Sequence, residues 1–334
     1  MSDPRSFSLI VCTYRRPQVI LNLLDSVAIQ SRSPHEIIIV DGSEEDSTEK
    51  ALKDKNYDDL RYFRVDAAHL GLTRQRNFGI RQVASEVDIV CFLDDDVVLQ
   101  EGYFEQLITT YDKHPEALGV GGYITNDVVW TKSRSEKGID DYCYDGYCRK
   151  DGSRFMLRKR LGLAPDRPPA HFPEFGHGRS VAFLPPSGKI YPAEQIMGGV
   201  SSFPKKVLDQ HQFSTYFEGY GLYEDAEFTL RLSKIGKLYV NTAATLKHFH
   251  DSSGRPNQYR YGKMVIRNGW YVWRVKYPNP SLKARLKWHA TAGLLTAIRY
   301  LNVVTTSERK KAFTEALGRT VGWCSLWFNP PRPS

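Results

Sequence analysis

The 334-residue chain is 41% hydrophobic and 25% charged, a composition typical of a soluble globular protein with room for one large domain or a domain plus an appendage. Its first residues, M-S-D-P-R-S, lack the apolar segment of a signal peptide. The longest uncharged apolar run near the C-terminus, Trp288 to Ile298, is too short to span a bilayer, so neither a signal peptide nor a spanning helix is expected.

The formal net charge of +8 is distributed unevenly. Residues 255–334 contain fifteen Lys/Arg and two Asp/Glu, a net of 15 − 2 = +13, so residues 1–254 carry 8 − 13 = −5. A mildly acidic body followed by a strongly basic tail predicts two functions on one chain.

The five cysteines are scattered, and Cys12 and Cys91 fall in predicted core strands. This usage indicates reduced thiols and a cytoplasmic protein. Cys143 and Cys148 are spaced like half of a zinc site, but no second Cys/His pair at finger spacing accompanies them.

Strands and helices alternate through the first hundred residues. Apolar runs and helical spacings predict a strand at 7–14, a helix at 18–30, a strand at 36–40, a helix at 47–53, a strand at 61–65, a helix at 73–83 and a strand from Asp88. This order predicts a doubly wound α/β fold with a mostly parallel sheet and helices on both faces. No G-x-G-x-x-G follows the first strand, so a dinucleotide site is not expected, and Gly119–Gly122 is interpreted as a turn.

Three consecutive carboxylates, Asp94, Asp95 and Asp96, follow the five apolar residues of the last of these strands. Such an apolar run is typical of a strand buried on both faces, and ligands of open α/β sheets bind at the carboxyl ends of strands. Adjacent anions repel one another unless a cation lies between them, and carboxylates are preferred ligands of Mg²⁺, Mn²⁺ or Ca²⁺. The stretch therefore predicts a metal site, with a solvated acidic turn as the alternative.

The remainder of the body is less regular. The alternation stops between about Thr131 and Ile196, and such long irregular stretches are usually functional or mobile. A helix at 226–235 begins after Glu224 and Asp225, which on their own are ordinary N-terminal acids. His248 and His250 form an H-x-H that follows a strand at 238–241, and two histidines in one chain with an Asp-rich site favour metal binding over a structural role.

The chain resembles glycosyltransferase family 2, the inverting nucleotide-sugar enzymes of GT-A fold. The matching segments occur in the family's order over about residues 7 to 250: L-I-V-C-T-Y-R-R-P (9–17), I-I-I-V-D-G-S (37–43), G-L-T-R-Q-R-N-F-G-I (71–80), F-L-D-D-D-V (92–97), G-G-V-S-S-F (198–203), E-D-A-E-F-T-L-R (224–231) and the histidines near 248. The resemblance implies a catalytic domain at 1–254, with a nucleotide-sugar half at 1–126 and an acceptor-side half at 127–254.

The resemblance also implies roles for single residues. The nucleotide-sugar would contact a set drawn from the first half of the domain, namely Thr13, Arg15, Asp41, Arg76, Asn77, Asp94 and Asp95, of which Asp95 occupies the variable middle position of the Asp-x-Asp motif. Asp94 and Asp96 would hold Mn²⁺ or Mg²⁺ together with His248, or with His250 if the loop is one step looser. Asp225 would be the general base, with Glu224 beside it, and Gly198, Gly199 and Glu224 would approach the acceptor.

The tail, 255–334, contains five of the six tryptophans among its basic residues, a composition typical of a helix at a membrane surface. On a helical wheel of 281–304, one side collects Leu282, Leu286, Ala290, Leu294, Ile298 and Leu301. We therefore predict a basic, helical extension that binds an anionic membrane, with the alternative that this helix packs on the catalytic domain. No nucleic-acid motif is present, so nucleic acid is not an expected partner.

Together these features predict a metal-dependent inverting glycosyltransferase that acts on a glycan or lipid-linked acceptor in polysaccharide or glycoconjugate assembly. It would be peripheral on the cytoplasmic face of the membrane. Two alternatives stay open: a sugar-nucleotidyl transferase, which lacks a glycine-rich, lysine-bearing phosphate loop here, and a non-enzymatic basic protein that binds membrane or nucleic acid through its tail.

Overall fold

The computed structural model describes residues 5–55, 57–133, 138–217, 219–249 and 257–333. In chain order the strands are β1 Phe7–Thr13, β2 Glu36–Asp41, β3 Leu60–Arg64, β4 Ile89–Asp94, β5 Val97–Leu99, β6 Ala117–Ile124, β7 Thr131–Lys132, β8 Asp141–Tyr144, β9 Tyr147–Lys150, β10 Ile190–Ala193, β11 Val200–Pro204 and β12 Lys237–His248. The helices are α1 Pro17–Ala28, α2 Ser47–Lys53, α3 Leu72–Gln82, α4 Tyr103–Lys113, α5 Ser153–Arg160, α6 Lys205–Gln210, α7 Glu224–Leu232, α8 Gln258–Lys276, α9 Leu282–Thr305 and α10 Arg309–Phe328.

The chain forms two compact units. Unit 1 comprises Met1–Val129 with Leu184–Gly254, and unit 2 comprises Trp130–Phe183 with Arg255–Ser334. The segment that follows β6 therefore groups with the C-terminal helices, an association that no sequence pattern indicated.

Unit 1 is built on one large sheet with the strand order β10-β12-β6-β11-β4-β1-β2-β3, in which β5 pairs with β12. The pairs β1–β2, β1–β4, β2–β3 and β6–β12 are parallel, whereas β11 runs antiparallel to both of its neighbours. The unbroken apolar runs of β1, β2 and β4 are buried on both faces, as a helix-covered parallel sheet requires. The predicted α/β class is confirmed.

The helices cover this sheet through their apolar stripes. Helix α1 begins at Pro17, where a missing N–H costs no hydrogen bond, and it buries Ile20, Leu23, Leu24 and Val27 in the main core. The parallel register places Thr13 opposite Asp41 and Cys12 opposite Asp94, so the polar residues that end these strands meet at one edge of the sheet.

The prediction of a turn at Gly119–Gly122 is wrong, because these residues lie within strand β6. A Cβ atom on Gly119 would lie 2.8 Å from the Phe203 ring, and one on Gly121 would lie 2.5 Å from a methyl carbon of Ile196. The glycines therefore serve close side-chain packing on the strand rather than a reversal of the chain.

Unit 2 contains a small antiparallel sheet, β7-β9-β8, and four helices, α5 and α8 to α10, among its described residues. A disulfide joins Cys143 and Cys148 across the β8–β9 hairpin, so the prediction of reduced thiols is wrong for this pair. Cys12, Cys91 and Cys324 are free thiols.

The tryptophans of the C-terminal helices form the core of unit 2. Trp273 and Trp288 are 0% and 2% exposed and stack at a centroid distance of 5.3 Å, with the Trp270 ring edge-on to both. The indole N–H of Trp323 donates to Nδ1 of His289, and only Trp327, at 75%, is largely exposed. The interpretation of the tryptophans as membrane-interface residues is therefore wrong for the four that pack inward.

None of the helices in the described ranges combines the length and the apolar character needed to cross a bilayer.

Candidate active site

Three predicted ligands meet at the carboxyl edge of the unit 1 sheet. One ligand atom from each of Asp94, Asp96 and His248 lies within 4.8 Å of the other two, and Nε2 of His248 is 3.0 Å from Oδ1 of Asp96. The local fold explains this meeting, because Val97, which directly follows Asp96, pairs with His248 across β5 and β12. His250, the alternative ligand, lies outside the described residues.

The backbone of His248 is fixed by the side chain of Asn126, whose Nδ2 donates to the His248 carbonyl and whose Oδ1 accepts from the His248 N–H. Sequence reasoning missed this residue. No local motif distinguishes it, because its role depends on the pairing of β6 with β12.

The chemistry of this cluster fits a divalent cation. Two carboxylates and an imidazole form a mixed oxygen and nitrogen donor set of the kind that binds divalent metal ions. Burial raises the pKa of Asp94, and the hydrogen bond with Asp96 raises the pKa of His248 above its usual range. The His248 shift reflects the negative charge of the adjacent carboxylates, which a bound cation would neutralise, whereas the Asp94 shift reflects burial.

Asp95 faces different partners from its two neighbours. Its carboxylate accepts from Oγ1 of Thr13 at 2.7 Å and from Nη1 of Arg16 at 3.0 Å, and it is 5% exposed. Burial raises its pKa to about 6. Among the described residues Asp95 thus ties β1 and α1 to the acidic stretch, while Asp94 and Asp96 offer candidate metal-ligand atoms.

Arg16 was not predicted as a site residue. It immediately precedes α1, and its guanidinium also lies 3.5 Å from Oδ2 of Asp96. The signal was present in the sequence: Pro17 marks the first helical residue, so Arg16 had to occupy the turn between a strand that ends at the crevice and its helix. Arg15, the predicted residue, forms an exposed ion pair with Glu44.

A buried ion pair links the acidic stretch to the start of α7. Nη1 of Arg76 is 2.6 Å from Oε1 of Glu224, and Nη2 is 3.5 Å from Oδ1 of Asp94. Arg76 and Glu224 are 3% and 5% exposed. Burial raises the pKa of Glu224 despite the attraction of Arg76, and its second oxygen, Oε2, has no hydrogen-bond partner within the part of the chain that is described.

Two adjacent glycines lie directly over these groups. A Cβ atom on Gly198 would lie 2.7 Å from both Nη1 of Arg76 and Oε1 of Glu224, and one on Gly199 would lie 2.0 Å from Oδ2 of Asp94. The Gly198 N–H also donates to Oδ2 of Asp225 at 3.1 Å. The Gly198–Gly199 pair thus brings the predicted base and a predicted metal ligand to one short segment.

Asp225 lies at the N-terminus of α7, where its second oxygen accepts from the N–H of Ala226. Two backbone donors, the N–H groups of Gly198 and Ala226, therefore hold this carboxylate at the positive end of the helix. Tyr223, the residue immediately before helix α7, has a left-handed backbone with φ of 71°, which is strained for a non-glycine residue.

Asp41 and Asn77, which were also predicted to contact the nucleotide-sugar, are buried and form hydrogen bonds within unit 1. Asp41 is 0% exposed and accepts from the N–H and Oγ of Ser43 and from the hydroxyl of Tyr62. Asn77 donates to the Phe213 carbonyl and accepts from the Phe213 N–H. In these contacts Asn77 fixes the loop before α7.

The unit 1 sheet and its acidic edge define a GT-A-type α/β protein with a candidate Asp-Asp-His metal site. Residues 8–172 match the family model described as Glycosyl transferase family 2. The chain therefore carries a glycosyltransferase family 2 domain, and the predicted family resemblance and the predicted class of enzyme are confirmed.

Two curated proteins are similar over part of their length. Glucosyl-dolichyl phosphate glucuronosyltransferase of Haloferax volcanii is 30% identical over 128 residues, which cover 37% of this chain and 40% of that protein. Glycosyltransferase GlyA of Streptococcus pneumoniae is 25% identical over 116 residues, which cover 35% of this chain and 16% of that protein. The chain therefore matches less than half the length of each relative.

One solved structure, of GalNAc-T7 with UDP, GalNAc and Mn²⁺, aligns with a TM-score of 0.52 at 15% identity. The alignment covers 81% of this chain and 49% of that one. At such low identity the likeness shows the fold alone.

Proposed function

We propose that the protein is a metal-dependent inverting glycosyltransferase that moves a sugar from a nucleoside-diphosphate sugar to a hydroxyl group of its acceptor. The observation that carries this proposal is the Gly198–Gly199 segment, which contacts the Asp225 carboxylate on one side and approaches the Asp94 carboxylate on the other. A base and a metal-ligand set within one crevice are the two groups that such a transfer needs.

Asp94, Asp96 and His248 would hold Mn²⁺ or Mg²⁺, which when bound neutralises charge on the departing diphosphate. The residues of this chain perform the other tasks. Asp225 accepts the proton of the acceptor hydroxyl as its oxygen attacks the anomeric carbon from the face opposite the leaving group. The N–H groups of Gly198 and Ala226 hold the Asp225 carboxylate in place for this transfer.

The nucleotide would lie along the carboxyl ends of β1, β2 and β4, where Thr13, Asp41 and Asp94 end their strands. We assign Arg76 to the donor side, because its guanidinium reaches the Asp94 carboxylate, and Arg15 and Asn77 to the same half of the site. Glu224 would receive an acceptor hydroxyl at its unbonded Oε2, beside Gly198 and Gly199.

For the acceptor we propose a glycan or a lipid-linked sugar in polysaccharide or glycoconjugate assembly. The name of the Haloferax relative supports a lipid-linked acceptor, since it includes a dolichyl phosphate. The charge of the C-terminal helices supports a peripheral location on an anionic membrane: residues 257–333 contain fourteen Lys/Arg and two Asp/Glu, a net of 14 − 2 = +12.

The test is hydrolysis of a panel of nucleoside-diphosphate sugars with Mn²⁺ or with EDTA, in the wild type and in Asp225→Asn. We expect metal-dependent turnover that falls by ~10²–10⁴ in Asp225→Asn, while calorimetric binding of nucleoside diphosphate with Mn²⁺ is kept. Asp209→Asn, on an exposed ion pair with Lys205, is the matched control. Normal turnover in Asp225→Asn with a dead Glu224→Gln would move the base to Glu224.

A further inference from the structure

The outward faces of the last two helices are apolar although the tryptophans of unit 2 pack inward. On α10, Phe313, Leu317, Val321, Cys324 and Phe328 follow one another at steps of four, four, three and four residues, so they form one stripe of the helix. All five are exposed, from 36% at Val321 to 90% at Phe328, and Trp327 at 75% borders the stripe.

Helix α9 carries a second stripe of the same kind. Leu282, Leu286, Leu301 and Val304 are 62% to 74% exposed, whereas Trp288 and Ala292, on another side of the helix, are buried. The two stripes adjoin where the Tyr300 ring meets the Phe313 ring, at a centroid distance of 6.2 Å. We call these two stripes together the α9–α10 face.

Basic residues flank both ends of the α9–α10 face. Lys283, Arg285 and Lys287 lie in the first turns of α9, and Arg309, Lys310 and Lys311 open α10. The latter three line an open cavity of about 550 Å³ with Ser307, Glu308, Thr314 and Gln258. Among the described residues of this lining, Glu308 is the single carboxylate beside three cations, so their summed charge is positive.

An apolar strip between two groups of cations is complementary to one particular surface. Lipid phosphates attract the cations, and the acyl boundary beneath them accepts the apolar side chains. A second protein copy would bring its own cations to the same place and would oppose them by like-charge repulsion.

We propose that the α9–α10 face is the surface by which this protein lies on an anionic lipid bilayer, with both helices parallel to the membrane plane. This inference deepens the proposed membrane association and rests on it. The side chains that enter the lipid are those of the two stripes, and the inward-packed tryptophans take no part.

The experiment uses the full chain and vesicles of phosphatidylcholine with or without about one third phosphatidylglycerol, a proportion chosen to carry anionic charge. Cys324, a free and exposed thiol within the α10 stripe, provides the place for an environment-sensitive fluorophore, and Cys324→Ser gives the background labelling. Flotation of the unlabelled protein measures the partition itself.

We expect flotation with the anionic vesicles only, and a blue shift of the fluorophore when they are added. The double variant Leu317→Gln, Val321→Gln should bind these vesicles at least about tenfold more weakly, because two side chains no longer gain free energy on transfer from water into the apolar part of the bilayer. The matched control is Ile29→Gln, Ile235→Gln, which alters two exposed isoleucines of unit 1 and should float like the wild type.

Three outcomes would overturn the inference. Wild-type protein that stays unbound refutes the membrane association as a whole, and equal flotation of both double variants refutes the α9–α10 face alone. A concentration-dependent dimer in lipid-free sedimentation that the Leu317→Gln, Val321→Gln variant abolishes would assign the face to a second copy. Nucleotide-sugar hydrolysis in the same variant should equal that of the wild type, so a failure of the proposed enzymatic function is detected separately.

Discussion

Replacing Gly199 by alanine should disable the metal site without unfolding the protein. The new Cβ would lie 2.0 Å from Oδ2 of Asp94, whereas ordinary contact begins at 3.4 Å, so the carboxylate must retreat by about 3.4 − 2.0 = 1.4 Å. Metal–oxygen bonds to Mg²⁺ are about 2.0–2.1 Å long, so a displacement of this size removes Asp94 from the coordination shell. The Gly199 backbone is not left-handed, and alanine therefore introduces no backbone strain there.

Loss of one protein ligand should weaken Mn²⁺ binding at least about tenfold, which corresponds to about 1.4 kcal/mol. Misplacement of this carboxylate by more than 1 Å should lower turnover by ~10². The free energy of unfolding should change by no more than about 1 kcal/mol, since the cost of an altered Asp94 rotamer is of that order.

Calorimetric titration with Mn²⁺ plus nucleoside diphosphate measures the first effect, and urea unfolding measures the last. Gly152→Ala is the control, because a Cβ at that position meets no atom within 4 Å and Gly152 does not adopt a left-handed backbone. Wild-type metal affinity in a folded Gly199→Ala protein would refute the assignment of Asp94 as a ligand.

Three other perturbations test separate parts of the structure. Asp96→Ala should abolish metal-dependent nucleotide binding in calorimetry while Asp95→Ala reduces it less, and complete loss in both folded variants would contradict the ligand register. The His177 ring lies 5.6 Å from the Trp288 ring at a tilt of 38°, and burial together with Arg158 lowers the pKa of His177 to about 3. As the pH falls below 6.5, the unfolded chain therefore takes up this proton before the folded protein does, which destabilises the fold. By pH 5 the unfolding free energy of the wild type should fall by at most about 2 kcal/mol, a loss that His177→Asn does not show. The same change in unfolding free energy between pH 7.5 and pH 5 in both proteins, measured by urea unfolding, would refute this. Removing the Cys143–Cys148 disulfide by serine substitution should lower the urea unfolding free energy by about 2 kcal/mol, given its five-residue separation, and an unchanged midpoint would show that the pair adds no stability.

The parts of the fold that sequence predicted are those whose signal is local. The apolar run Ile89–Leu93 and the helical spacing in α1 depend only on residues within one element. The candidate metal ligands were predictable for a related reason: Asp94 ends a buried strand, Asp96 lies two residues beyond it, and strand ends in a parallel sheet share one edge. His248 required the family resemblance, because its partner Val97 lies 151 residues earlier in the chain.

The detailed contacts of the site could not be predicted in this way. Arg76 and Glu224 are separated by 148 residues, and no periodicity connects a position on α3 to the first residue of α7. From the sequence we expected the Arg76 side chain to be open to a ligand. In the structure it is buried, with Gly198 lying close to the ion pair that it forms with Glu224. Such a contact becomes visible only when both elements are placed.

The C-terminal helices show why composition alone misassigned the tryptophans. Tryptophan beside lysine is typical of a membrane interface, but it is equally suitable for a small helical unit that must build a core from few residues. Whether a tryptophan packs inward or faces a membrane depends on the neighbouring helices. Here Trp273 of α8 and Trp288 of α9 stack on each other, and the indole N–H of Trp323 of α10 donates to His289. Once these side chains turn inward, the opposite sides of α9 and α10 must present their leucines and phenylalanines outward. The same amphipathic pattern that misdirected the tryptophan interpretation therefore leaves the α9–α10 face as the apolar surface that a bilayer would cover.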